Sequence, residues 1–248
     1  MAADPRVAFI VAGAQKGGTT ALFDYLSDAP ELSLSRVKET HFFDDESQDW
    51  ARPDYGAYHA NFGPYDGRPR GEATPIYIYW PNSLERIAAY NPAAKLVVML
   101  RDPVARAWSH WKMEYARGVE TQPFAWCIRQ GRQRLFAAEP WGFDREVSYV
   151  ERGFYGEQME RLFALFPREQ VLVSRAEDLR AAPGEVLGRV RGFLGVPQNA
   201  TPPAPREANV GRDMDYGSEL RSEDVAYLRG VYARDAERLA DLTGLCFG

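Results

Sequence analysis

Near the N-terminus, Gly13-Ala-Gln-Lys16-Gly17-Gly18-Thr19-Thr20 brings a glycine pair, a lysine and two hydroxyls together directly after an apolar run. Glycines let a backbone approach a ligand closely. A helix beginning near Thr19 would add unpaired N–H groups and a dipole that favours negative charge. The chemistry this points to is phosphate binding. The nearest rival is the ATP- or GTP-binding loop GxxxxGK[ST]. Gly13 and Gly18 have its separation, but Thr19 stands where that loop needs lysine, and Lys16 lies inside the loop instead. A lysine so placed reaches a different phosphate region and loses its usual partnership with a hydroxyl-bound Mg²⁺. Leu96-Val-Val-Met-Leu100-Arg101-Asp102 imitates the second nucleotide-hydrolase motif, with an arginine before the aspartate.

The elements that must position these residues read as an alternation of strands and helices. Val7–Ala12 and Lys95–Leu100 are apolar on both faces, the pattern of buried parallel strands. Gln170–Ser174 is a third, shorter strand. A helix starts near Thr19, with Ala21, Leu22, Tyr25 and Leu26 on its buried side. A second runs over 103–117, because Asp102 is a good N-cap and Pro103 suits the first helical position. Helical spacing recurs over 154–166, 183–194 and 222–243. Strands alternating with helices imply an α/β fold with a central, mostly parallel sheet. The chain is expected to be one domain over 1–248, with 197–221 a cofactor or substrate loop, since 197–212 holds four prolines and little apolar periodicity.

Composition narrows the partners. At 248 residues, 45% hydrophobic and 13% aromatic, the chain is globular rather than disordered. Its net charge of −5 gives no global pull toward nucleic acid or anionic lipid, so any polyanion must be held by a local cluster. Cys127 and Cys246 are too few for a disulfide framework, and three histidines without cysteine spacing make no metal motif. The apolar run Val7–Ala14 is short for a signal-peptide core, and no stretch approaches the roughly 20 apolar residues of a membrane span. A soluble, cytoplasmic protein is expected.

Four blocks in order give a resemblance. Lys16-Gly-Gly-Thr-Thr20 after a buried strand resembles the 5′-phosphosulfate loop of sulfotransferases that use 3′-phosphoadenylyl sulfate (PAPS). Lys38-Glu39-Thr40-His41-Phe42-Phe43-Asp44 resembles the K/N-E-x-H/Q-F-F segment of the heparan-sulfate N- and 3-O-sulfotransferase group. Gly71-Glu72-Ala73-Thr74-Pro75-Ile76-Tyr77 is similar to that group's E-K-T-P-x-Y segment. Leu100-Arg101-Asp102-Pro103 through Arg106 to Ser109 is similar to its 3′-phosphate motif. The likeness runs from Ala8 to about Leu242 and implies a P-loop-like sulfotransferase fold of bacterial small-molecule type.

What the resemblance implies is in-line transfer of a sulfuryl group from PAPS to a hydroxyl, ahead of an amine, giving adenosine 3′,5′-bisphosphate without a metal. Lys16, with Gly17, Gly18, Thr19 and Thr20, would stabilise the departing 5′-phosphate. Glu39 would be the general base, its pKa raised by partial burial among aromatics. His41 would polarise the sulfuryl oxygens or position the acceptor, or else be a structural histidine beside Phe42. Arg101 and Ser109 would clamp the 3′-phosphate, and Arg212 resembles the family's late cofactor loop.

Two features depart from the pattern: Ala73 stands where the heparan-modifying members have lysine, and their late cysteine pair is missing. Residues 118–150 carry Trp126, Arg129, Arg132, Arg134, Trp141 and Phe143. These are either contacts for an anionic or aromatic acceptor or a solvated basic face over core aromatics. The expected acceptor is a small molecule, such as a glycoside or other natural product. A Mg-ATP-dependent small-molecule kinase with a variant loop, and a non-catalytic nucleotide binder, stay open as alternatives.

Overall fold

The computed structural model describes residues 5–198 and 214–247. Five strands, β1 (Val7–Gly13), β2 (Ser33–Leu34), β3 (Arg70–Ala73), β4 (Lys95–Leu100) and β5 (Val171–Arg175), form one sheet in the order β2-β3-β1-β4-β5. Every neighbouring pair is parallel. The expected α/β architecture with a central parallel sheet is therefore present. β1 and β4 are its apolar centre and are buried almost throughout.

The described chain divides into two compact units. The first holds the sheet, with α1 (Thr19–Ser27), α2 (Tyr55–His59), α3 (Ser83–Tyr90), α7 (Ala176–Ala181) and α8 (Pro183–Leu194). One core packs Phe9, Val11, Val97 and Met99 of the sheet against Leu22 and Leu26 of α1 and Val186 and Val190 of α8. Phe42, Phe43, Tyr58, Tyr77 and Tyr90 build an aromatic cluster in the same unit, with Phe42 and Tyr58 stacked at 4.6 Å.

The second unit holds α4 (Pro103–Arg117), α5 (Phe124–Cys127) and α9 (Ser222–Thr243), with its own core of Val104, Trp111, Phe124, Tyr149, Leu228 and Tyr232. α6 (Tyr155–Leu165) carries the chain from the second unit back to the first. α4 begins where Asp102 and Pro103 place it, the Asp102 carboxylate accepting from the Ala105 N–H at 2.8 Å. It ends at Gly118 in the left-handed conformation.

Three expectations shift. The third strand starts one residue later, at Val171, because Gln170 closes a 3-10 turn. On α1 the buried set is Thr19, Leu22, Tyr25 and Leu26, with Ala21 only half-buried, since the helix starts by tucking Thr19 inward. β2 and β3 add two strands to the three read from hydrophobicity, because their pairing with each other and with β1, rather than an apolar run, makes them strands. Arg212 and much of the 197–221 loop lie outside the described residues.

Candidate active site

Parallel strands put all their carboxyl ends along one edge of the sheet, where open α/β folds bind ligands. The loop after β1 leaves that edge and is pinned at its base. The Ala14 N–H donates to the Met99 carbonyl at 2.7 Å, and the Gly17 N–H to the Ala14 carbonyl at 2.8 Å. A Cβ on Gly17 would lie 2.4 Å from the Met99 oxygen, so no other residue fits. Gly18 takes φ 89° and forms the N-terminal boundary of α1. No side chain caps that helix and no acidic residue sits in its first turn, leaving its N–H dipole open to an anion. Lys16 is half-buried within the loop at φ 66°. These features fit a phosphate group.

β3 neighbours β1, and its last carbonyl, of Ala73, accepts from the Glu39 N–H at 2.9 Å. The Lys38–Asp44 segment is thereby hung on the same edge as the loop. Phe42 and Phe43, both buried, anchor its far end in the aromatic cluster. Five described residues other than glycine have positive φ: Lys16, Glu39, His41, Asn82 and Trp141. Three of them are the residues the sequence nominates for catalysis. Such conformations cost of order 1–3 kcal/mol each and persist where the surroundings over-determine them, as at active sites.

The side chains form a linked set. Lys38 Nζ donates to Glu39 Oε1, His41 Nε2 faces Glu39 Oε2 at 3.6 Å, and Asp44 holds His41 Nδ1 at 2.9 Å. Asp44 is fully buried, so His41 is gripped from behind while its ring is half exposed. Sequence reasoning quoted Asp44 within its motif and gave it no role; its spacing of three from His41 was the available signal. Asp44 most, then Glu39, raise the His41 pKa against the effect of burial, to about 9. The imidazole is thus cationic at neutral pH. The expected rise for Glu39 is overturned. Burial pushes its carboxyl up, but His41 and Lys38 outweigh it and hold it at about 2. Glu39 is therefore ionised and able to accept a proton throughout the neutral range.

The model of the sulfotransferase domain matches residues 6–208. The chain belongs to the sulfotransferase family. Among its relatives, human heparan sulfate glucosamine 3-O-sulfotransferase 3B1 is 31% identical over 75% of this chain and 45% of its own length. The human bifunctional heparan sulfate N-deacetylase/N-sulfotransferase 3 is 29% identical over 76% of this chain and 22% of its own. The chain thus spans less than half the length of these curated relatives. A crystal structure of a sulfotransferase from Alicyclobacillus acidocaldarius superposes with a TM-score of 0.81 at 28% identity, covering 98% of this chain and 97% of the other.

Within this family member, Lys16, Gly17, Gly18, Thr19, Thr20, Glu39 and His41 lie in the first unit at one sheet edge, whereas Arg101 and Ser109 belong to the second unit. Arg101 follows β4 directly, and its carbonyl accepts from the Tyr155 hydroxyl at 3.0 Å; Ser109 is half-buried on α4. The arginines proposed for an acceptor have structural partners. Arg129 pairs with Asp224 at 2.6 Å, Arg132 with Glu151 at 2.7 Å, and Arg134 with buried Glu120 at 2.9 Å while lying over the Trp126 ring. Of the aromatics in that stretch, Trp141 is exposed and Phe143 half-buried. No helix among the described residues is long and apolar enough to cross a membrane.

Proposed function

We propose that the chain transfers a sulfuryl group from PAPS to a hydroxyl of a small-molecule acceptor, releasing adenosine 3′,5′-bisphosphate. The observation that carries this reading is the juxtaposition of an uncapped, lysine-bearing phosphate loop on β1 and an ionised glutamate hung from the neighbouring β3. PAPS, when bound, supplies an activated sulfuryl group with a nucleotide phosphate as leaving group. The N–H groups of Gly18 to Thr20 and the Lys16 ammonium would hold the 5′-phosphate and offset charge that develops there, while the Gly17 N–H, bonded to the Ala14 carbonyl, keeps the loop in shape. Glu39 takes the proton of the attacking hydroxyl, in the protonation state that role requires. His41, as imidazolium, orients the acceptor or the sulfuryl oxygens, with Asp44 setting its ring. The same reading gives Arg101, Ser109 and Arg212 the 3′-phosphate side of the nucleotide.

The glycoside-like acceptor rests on the heparan-modifying relatives, and Ala73 in place of their lysine argues for a different acceptor from theirs. The test is thermal unfolding with adenosine 3′,5′-bisphosphate in EDTA, set against ATP with Mg²⁺. Stabilisation by the bisphosphate without metal is the expected result. Stabilisation by Mg-ATP alone would replace this reading with a kinase.

A further inference from the structure

Glu72 is fully buried, and none of its hydrogen-bond partners is a cation. Two hydroxyls donate to each oxygen: Thr40 at 3.1 Å and Thr74 at 2.6 Å to Oε2, Tyr58 at 2.9 Å and Tyr77 at 3.1 Å to Oε1. Burial pushes its carboxyl pKa up, and the four donors pull it partly back. A buried carboxylate without a counter-charge is costly and is not needed to close a core that aromatic rings already fill.

Its neighbours say what it holds. Tyr77, whose hydroxyl proton points at Glu72, has its lone pairs free for the N–H groups of Phe42 at 3.1 Å and Phe43 at 3.3 Å. Thr40 Oγ1 lies 3.1 Å from the same Tyr77 oxygen. Thr40 stands between Glu39 and His41, which take φ 64° and 52°. With the Glu39 N–H on the Ala73 carbonyl, residues 72–77 hold the chain on both sides of the strained turn, and Ser83 and Arg86 hold the Phe43 carbonyl beyond it. A left-handed turn of non-glycine residues relaxes unless its surroundings fix it, and relaxation would swing the Glu39 and His41 side chains apart.

We propose that Glu72, acting through Thr40 and Tyr77, is the positioning residue that locks Glu39-Thr40-His41 into its reactive conformation. A carboxylate suits this because it only accepts, so it fixes which way the Tyr77 and Thr40 hydroxyls point. Replacing Tyr77 with Phe removes the acceptor of two backbone N–H groups. Glu72→Gln brings a donor into a nest of donors and forces at least one hydroxyl to turn round.

The inference rests on Glu39 and His41 being the reacting pair, and its test has a readout independent of turnover. The chain has only three histidines, so the His41 ring can be followed by NMR titration, assigned with His41→Gln. In Tyr77→Phe and Glu72→Gln the His41 midpoint should fall from about 9 toward its ordinary 6.5 as the ring leaves Glu39. Turnover should fall about 10²-fold, as expected for a misplacement near 1 Å, with KM for PAPS little changed. Should Tyr77→Phe not fold, Thr40→Val, at a half-buried position, serves with the same readouts. Folded variants that keep the wild-type His41 titration and turnover overturn the proposal, as does a rise in KM for PAPS with turnover intact. If wild-type protein does not transfer sulfuryl groups at all, the proposed function fails while the His41 titration still decides whether Glu72 sets the turn.

Discussion

Replacing Gly17 with alanine should displace the phosphate loop as a unit. The added Cβ would lie 2.4 Å from the Met99 carbonyl oxygen and 2.8 Å from that of Ala14. Those carbonyls accept the two hydrogen bonds that pin the loop, so neither can move without releasing it. Ordinary contact begins near 3.4 Å, so relief requires a shift of 3.4 − 2.4 = 1.0 Å. A displacement of that size costs about 10²-fold where geometry is critical. With adenosine 3′,5′-bisphosphate at 100 times the wild-type Kd, binding stabilises the wild-type protein by about 2.7 kcal/mol. A variant with 100-fold weaker affinity retains RT ln 2, about 0.4 kcal/mol, from the same ligand. At about 2–4 °C per kcal/mol for a chain of this size, the ligand-induced rise in Tm falls from roughly 5–11 °C to about 1–2 °C. The ligand-induced shift is the quantity to compare, since overpacking also lowers the basal stability by about 1–3 kcal/mol. Gly18→Ala is the control. It strains a left-handed residue, but its Cβ meets only Ala176, 3.2 Å from Cβ and 3.7 Å from Cα, so the carbonyls that pin the loop are untouched and more of the ligand shift remains than in Gly17→Ala. A Gly17→Ala protein with the full wild-type ligand shift would refute this account of the loop.

Glu39→Gln should lower turnover by about 10²–10⁴-fold with the bisphosphate-induced Tm rise intact, and wild-type turnover would remove Glu39 from the chemistry. Asp44→Asn removes the largest influence raising the His41 pKa, so the His41 NMR midpoint should fall from about 9 toward 6.5. His41, raised on folding, contributes stability fully below pH 6.5 and loses it as pH rises through about 9. The Tm deficit of Asp44→Asn should therefore be largest near pH 6 and shrink above pH 9, with about 1 kcal/mol at stake after screening at a half-exposed ring. Glu39 has the opposite sign: its contribution is present above pH 4.5 and disappears as pH falls through about 2. Arg134→Ala should cost about 1–3 kcal/mol in urea unfolding, because buried Glu120 loses a partner, and leave the acceptor KM unchanged; a raised KM without a stability loss would return Arg134 to the acceptor site.

Much of the fold is legible because it is locally encoded. The bounds of α4, α8 and α9 follow from caps, prolines and apolar spacing within a dozen or so residues. After Lys95, β4 is an uninterrupted apolar run, so its burial in a parallel sheet follows from composition alone. β3 was not legible. Arg70-Gly-Glu-Ala73 has no strand-like alternation of apolar residues, and it becomes a strand only because β1 offers a ladder and Phe9 needs the space a glycine leaves at 71.

The same division runs through the site. Lys16, Glu39 and His41 stand out in the sequence as candidates because their motifs are contiguous and each residue type carries its own chemistry. What the sequence by itself determined is the inventory: a lysine-bearing glycine loop, a glutamate and a histidine two residues apart, and the elements that begin or end beside them. The tertiary structure alone decided their electrostatic state. Burial predicts a raised Glu39, yet the orientations of Lys38 and His41 around it reverse the sign. It alone also decided that Glu72, ordinary in sequence, meets hydroxyls from residues 40, 58, 74 and 77. The physical reason is range. Backbone preferences are set by a few neighbouring residues along the chain, whereas the field at a carboxylate is set by whichever groups folding brings within a few ångströms.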